Sequence, residues 1–320
     1  MAVLLGAALA VVGFLREAGS SDSSAPIETS SAAESSASTA VAEVVAPSDA
    51  VLESMNLGIE AFESQEFEAA VGYFESTLLD FPDSATAHQY LGLSLYWLED
   101  YNRAMASIER ALELHPDSRA ILDHYVTLSK ELGDLEGAAG ALEDFAETYP
   151  RDESVLLELA RLARDRDLPR EALQHTELLL RQAPDSALYN YEHAITLKQA
   201  GDMSEAKTML ERAVEIDPDV APAQHSLGVV ALLSGDARNA VEPLERAVAL
   251  EPGNGGFHFS LAQAYEKLER VDESLSSYES YLLYADKDDP KAQLVRKLLR
   301  FARQARDEER RRASRGQVGG

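Results

Sequence analysis

The sequence predicts an all-α fold, a solenoid of stacked helical repeats, from three observations. Residues 85 to 118 can be laid on the chain again at a fixed step of 34 residues, over seven units and without one insertion or deletion. One slot of the unit, position 20, never enlarges: Ala70, Ala104, Ala138, Ala172, Ala206, Ala240 and Ser274. Another, position 32, is Pro82, Pro116, Pro150, Pro184, Pro218 and Pro252 before it becomes Asp286. A period of this length marks a repeat array. A unit too small to bury its own apolar face must stack on its neighbours, so one elongated body is expected over 50–312. That overrides the two domains that 320 residues alone would suggest.

Within residues 85 to 118, Leu91-Gly92, Leu95, Ala104, Ile108, Ala111 and Pro116 stand at positions 7, 8, 11, 20, 24, 27 and 32. This pattern resembles the tetratricopeptide repeat, a helix-turn-helix unit. The resemblance implies a right-handed α-solenoid with repeats at 51–84, 85–118, 119–152, 153–186, 187–220, 221–254 and 255–288. Small residues at position 20 let the two helices of a repeat approach closely, and proline at position 32 ends the second helix.

Taken in order, the chain opens with segment 1–17, in which residues 2 to 15 are uninterrupted apolar. Fourteen helical residues span about 21 Å against the ~30 Å of a hydrocarbon core, so the run is short for a spanning helix. It reads as a signal-anchor or truncated export signal, without the basic residues that normally precede one. Residues 18–49 are built of Ser, Ala, Thr and Glu with two prolines and no aromatic residue, the composition of a disordered tether. In the repeats, Gly133, Gly201 and Gly235 at position 15, each followed by Asp, are expected to end one helix and cap the next. Pro169 is expected to open a second helix, and Pro243 to bend one. After the last repeat a capping helix is expected over 290–312, its apolar stripe formed by Leu294, Leu298, Phe301 and Ala305. Residues 313–320 read as a disordered tail.

Charge is unevenly placed. The formal net charge is −27, yet residues 291 to 320 carry ten Lys or Arg against three acids, leaving the remainder near −34. An acidic body disfavours nonspecific nucleic-acid binding. The basic stretch 291–315 reads as the solvent face of a cap, with contact to anionic surfaces as the functional alternative. Without cysteine there is no disulfide framework and no thiolate site. No H-E-x-x-H, G-x-S-x-G, Walker-type or dinucleotide-binding motif is present, and no cofactor or catalytic residue is assigned.

The resemblance places ligands, usually protein segments, on a concave face lined by positions 2, 5, 6, 9, 12 and 13 of the first helix. On this sequence those positions give Phe62, Tyr90, Leu93, Tyr96 and Trp97 as an exposed aromatic and apolar cluster. They continue with His124, Lys130, Arg161, Arg164, Tyr191, Lys198, His225 and Phe259. Lys130, Arg161, Arg164 and Lys198 would make a positive strip suited to an acidic peptide. The bland alternative is salt bridging with Asp123, Glu131, Glu158 and Asp165. For Tyr96 and Trp97 it is packing against the neighbouring repeat. The expected function is a non-catalytic scaffold or adaptor holding a protein or peptide partner, in a membrane-associated or cell-envelope complex. The alternatives are a cytoplasmic adaptor, or an accessory subunit presenting substrates to an enzyme on another chain.

Overall fold

The computed structural model describes residues 48–285 and 289–317, with side chains described as far as residue 304. The apolar run 2–15 and the tether as far as residue 47 lie outside the described residues, as do 286–288 and 318–320. The described residues form fifteen helices and no strand. None of these helices is long and apolar enough to cross a membrane. The chain divides between Arg151 and Asp152 into two compact units, where the repeat reading expected one body. Contacts in a repeat array join only neighbours, so a compact unit can end at a junction between repeats.

The first unit holds α1 (Asp49–Glu63), α2 (Phe67–Asp80), α3 (Ala85–Trp97), α4 (Tyr101–Leu114), α5 (Arg119–Leu132) and α6 (Leu135–Thr148). The second holds α7 (Glu153–Asp165), α8 (Pro169–Gln182), α9 (Ala187–Ala200), α10 (Met203–Ile216), α11 (Ala221–Leu233) and α12 (Ala237–Leu250). It continues with α13 (Gly255–Lys267), α14 (Val271–Tyr284) and α15 (Pro290–Gln317). Within each unit every helix packs on the next in sequence, odd-numbered first helices pairing with even-numbered second helices.

Side-chain caps start several of the helices, although Asp202, expected to cap α10, makes no capping hydrogen bond. Side chains of Ser84, Asp152 and Ser186 accept from the amides of Ala87, Val155 and Tyr189 at the first helices. Asp100, Asp134 and Asp236 accept from Arg103, Gly137 and Asn239 at the second. Each bond satisfies an amide that the first helical turn leaves without an intrahelical partner. Pro169 opens α8, where its missing N–H costs little, and α12 continues through Pro243 as one helix.

The turn between paired helices is left-handed in every repeat. Gly133, Gly201 and Gly235 have φ of 82°, 95° and 81°, as expected for a helix-ending glycine. Gln65, Glu99, Asp167 and Glu269 occupy the same position with φ of 63°, 63°, 57° and 58°, a conformation that no glycine signalled.

The position-20 alanines of both units are fully buried, and Ser274 is buried with its hydroxyl donating to the Ala262 carbonyl at 3.0 Å. A second close approach lies at position 8 of the repeat. A Cβ on Gly92 would stand 2.6 Å from Ile108 Cγ1 and 2.9 Å from the Ala104 carbonyl oxygen, so the α3–α4 crossing requires glycine there.

The terminal helix corrects the predicted cap. α15 runs past residue 312 to Gln317, and the face packed on α13 and α14 is Ala292, Val295 and Leu299, among Ala262, Tyr278 and Tyr281. Leu294 and Phe301, expected on the packed stripe, are 66% and 70% exposed, and Leu298 is 37% exposed. The apolar sector of this helix spans more than one stripe, and the neighbouring helix covers the other part. Ala305 lies beyond the described side chains.

Candidate protein-binding face

The first helices of successive repeats meet through polar side chains 35 residues apart, one repeat plus one residue. In the first unit Gln89 Nε2 lies 2.9 Å from His124 Nδ1, and the Tyr96 hydroxyl donates to Glu131. In the second, Gln199 Nε2 donates to the Arg164 carbonyl at 3.0 Å, and His225 Nε2 lies 2.8 Å from Ser260 Oγ.

This ladder decides which predicted side chains remain available in the first unit. Phe62, Tyr90 and Leu93 are buried, contrary to the exposed cluster expected, and so is His124. The reason is aromatic packing across three helices. Phe62 meets Tyr90 and Phe67 edge-on at 5.4 and 5.6 Å, and Tyr90 stacks on Phe74. Burial pushes the His124 imidazole down to about 4, so it is a neutral core group. Tyr96 and Trp97 are half-buried: Trp97 stacks on Phe67 at 5.6 Å and meets Tyr96 edge-on at 5.8 Å. Burial, then the Glu131 hydrogen bond, push the Tyr96 phenol up to about 12. The packing alternative thus accounts for much of this cluster. Lys130 is half-buried at the end of α5.

In the second unit the side chains converge on a charge that sequence reasoning missed. Glu192 is the common partner of both arginines: Arg161 donates through Nε at 2.9 Å and Nη2 at 2.5 Å to Oε1, and Arg164 Nη1 lies 2.7 Å from Oε2. The Glu192 side chain is 4% exposed and Arg164 15%, so the centre is shielded from solvent. Arg164 Nη1 also donates to the Glu192 carbonyl at 3.2 Å and to Thr196 Oγ1 at 3.3 Å. Glu192 stands at position 6, inside the lining set, opposite basic residues at positions 9 and 12 of the preceding repeat. That pattern was the signal available.

Lys198, at position 12 of the next repeat, is half-buried, and no carboxylate pairs with it among the described residues. Burial, then the Arg164 guanidinium, push its ammonium below the ordinary lysine value. His225 is held neutral beside it, pushed down to about 4 by burial and then by Lys198. Half-buried Tyr191 lies on the same helix as Lys198. Phe259 is covered instead, edge-on to Tyr278 and Tyr281 at 5.7 and 5.2 Å with Lys291 Nζ 5.8 Å over its ring. Among the described residues no group of three or more His, Asp or Glu is placed to hold a metal ion.

Two family models described as tetratricopeptide repeat match the chain, one over residues 55–119 and 191–254, the other over 231–299. The chain is a tetratricopeptide-repeat protein. No curated protein matches its sequence. Among solved structures, this tetratricopeptide-repeat chain is similar to a tetratricopeptide repeat protein from Parabacteroides merdae, at 14% identity and TM-score 0.59 over 79% of this chain and 98% of that one. It is likewise similar to the C-terminal part of a repeat-containing protein from Cytophaga hutchinsonii, at 14% identity and TM-score 0.56 over 75% and 98% of the two chains. MamA matches at 24% identity with TM-score 0.45 over 50% of this chain and 93% of its own. These likenesses concern the fold, which is typically a non-catalytic module of protein interaction.

Proposed function

We propose that this tetratricopeptide-repeat protein is a non-catalytic scaffold that holds an acidic segment of another protein along the first helices of its second unit. The observation that carries this reading is Lys198. It is a half-buried cation next to Arg164, which already shares Glu192 with Arg161, and it has no carboxylate of its own among the described residues. A carboxylate arriving there would gain a charge-assisted hydrogen bond in a partly desolvated site and relieve the repulsion from Arg164. Tyr191, on the same helix, offers a rigid amphipathic surface that loses little entropy on contact. The uninterrupted apolar run 2–15 supports a membrane-associated or cell-envelope setting for the complex.

The test is fluorescence anisotropy with two labelled peptides of equal length, one carrying Glu at alternate positions and one carrying Gln, titrated into the full chain. The Glu peptide is expected to bind the parent and Lys198→Arg, and to bind Lys198→Glu about tenfold more weakly or worse, since like charges across an interface cost several kcal/mol. Equal binding of both peptides, or indifference to Lys198→Glu, would sink the proposal.

A further inference from the structure

A second surface stands apart from this face. Leu294, Leu298 and Phe301 follow one another at steps of four and three along α15 and remain 66%, 37% and 70% exposed. Lys297 and Arg300 lie between them, exposed and without an ion pair among the described residues. An apolar stripe at this spacing, flanked by cations, is one half of a helix interface that lacks its partner.

The matching half is present in the first unit. Between α4 and α6 runs a groove lined on its rim by the exposed carboxylates Glu109, Asp117 and Asp144. Leu112 and Tyr125 supply apolar surface at its base. Gly140 opens its wall: a Cβ there would meet nothing within 4 Å.

We propose that α15 of one copy docks into the α4–α6 groove of a second copy. Leu294, Leu298 and Phe301 enter the groove, and Lys297 and Arg300 meet its acidic rim. Charge selects this pairing over the two obvious competitors. Two α15 helices meeting face to face would oppose Lys297 and Arg300 with their own kind. An anionic lipid surface would have to accept the acidic remainder of the chain, near −34, alongside the helix. The contact joins unlike surfaces, so it propagates from copy to copy unless the geometry closes a ring. Three side chains make a small apolar contact beside the ~800 Å² per partner of a standard interface, so the association is weak and salt-sensitive.

The experiment is sedimentation velocity of the full chain over a wide concentration series, for the parent, Phe301→Glu, Gly140→Arg, and an equimolar mixture of the two variants. Phe301 is exposed and Gly140 faces open space, so both variants are expected to fold as the parent does. The parent should gain mass beyond 34.9 kDa as concentration rises, and lose the gain in high salt. Each variant alone should stay monomeric. The mixture should form a dimer and stop there, because it holds one intact helix surface and one intact groove. A parent that stays monomeric overturns the proposal, as does a Gly140→Arg variant that still associates while Phe301→Glu does not, the mark of α15 pairing with α15. Association surviving in both variants also overturns it. So does a monomeric parent that sediments with vesicles of anionic phospholipid, which would make the helix a lipid contact.

Discussion

At the residue scale, position 8 is glycine in three repeats, where it packs directly against the side chain at position 24. Gly58 faces Phe74, Gly92 faces Ile108 and Gly228 faces Leu244, and a Cβ on any of the three glycines would come within 2.7 Å of the opposing side chain. In the other four repeats position 8 carries Val126, Ala160, Ala194 or Ala262, opposite Leu142, Thr176, Leu210 and Tyr278, so the glycine answers to its own crossing rather than to the size at position 24. At these three crossings there is no room for a Cβ, and interiors are packed too tightly to absorb an extra methyl at no cost. Gly92→Ala is therefore expected to destabilise the first unit by about 1 to 3 kcal/mol, although alanine is the better helix former. Ile108→Val in the same chain should return part of the loss, a coupling of about 0.5 kcal/mol or more between touching residues. Additive losses in denaturant unfolding would show that these residues do not share the space. The glycine was legible in the sequence as a motif position, but the closeness of its crossing was not, because repeats with Val126 or Ala262 at position 8 carry equally large residues at position 24. Arg161 and Arg164 were equally legible, yet Glu192 was not, since its role depends on contact between repeats rather than on its own helix.

At the scale of helices and turns, the repeat tolerates strain to preserve one geometry. The turn after each of the seven first helices has a positive φ at position 15, four times at a residue with a side chain. The three glycines announced this turn in the sequence. Gln65, Glu99, Asp167 and Glu269 hid it, because tertiary packing on both sides holds the backbone where their own preference would not. A left-handed residue with a Cβ costs about 1 to 2 kcal/mol, while glycine's looser unfolded chain returns about 0.5 to 1 of that advantage. Glu99→Gly should consequently raise stability by about 0.5 to 1 kcal/mol. A lower midpoint in urea would mean that the Glu99 side chain makes a contact worth more than the strain. Asp167 is the poorer site for this change, since its Oδ1 accepts from Gln199 Nε2 at 3.0 Å. Three second helices are also tied to the turn between repeats at a constant step of 27 residues, with Arg110 to Asp83, Arg212 to Asp185 and Arg246 to Asp219. These pairs are largely exposed, so each contributes little to stability. What they add is register. The stripe on α15 shows the limit of periodicity: intervals of four, three and four identify a helical face but not which face the neighbour covers.

At the scale of the whole molecule, two effects of pH oppose one another. The formal charge of −27 means that acidification toward the sequence pI near 4.6 relieves self-repulsion and favours the compact state. Buried histidines act the other way. Burial pushes His124 and His225 down to about 4 from an ordinary 6.5, and lowers His175 and His193 as well. Between those values the unfolded chain binds protons that the folded chain refuses. The stability due to neutral His124 or His225 is thus fully present above the ordinary pKa and is lost as pH falls through 6.5 toward 4, at about 1.4 kcal/mol per pH unit. Asp236 and Asp289, held low by hydrogen bonds, act only around and below their ordinary 3.8 and do not enter this window. Salt separates the opposing effects, because a Debye length of ~3 Å at 1 M screens surface repulsion but leaves a buried imidazole untouched. In 1 M salt the parent is therefore expected to lose stability steadily from pH 6.5 to 5. His124→Gln, which retains an amide to meet Gln89, should flatten that slope by about 1.4 kcal/mol per pH unit. Urea unfolding at each pH reads both slopes. Parallel lines for parent and variant would mean that His124 can reach water when protonated and is not the core group that its burial describes.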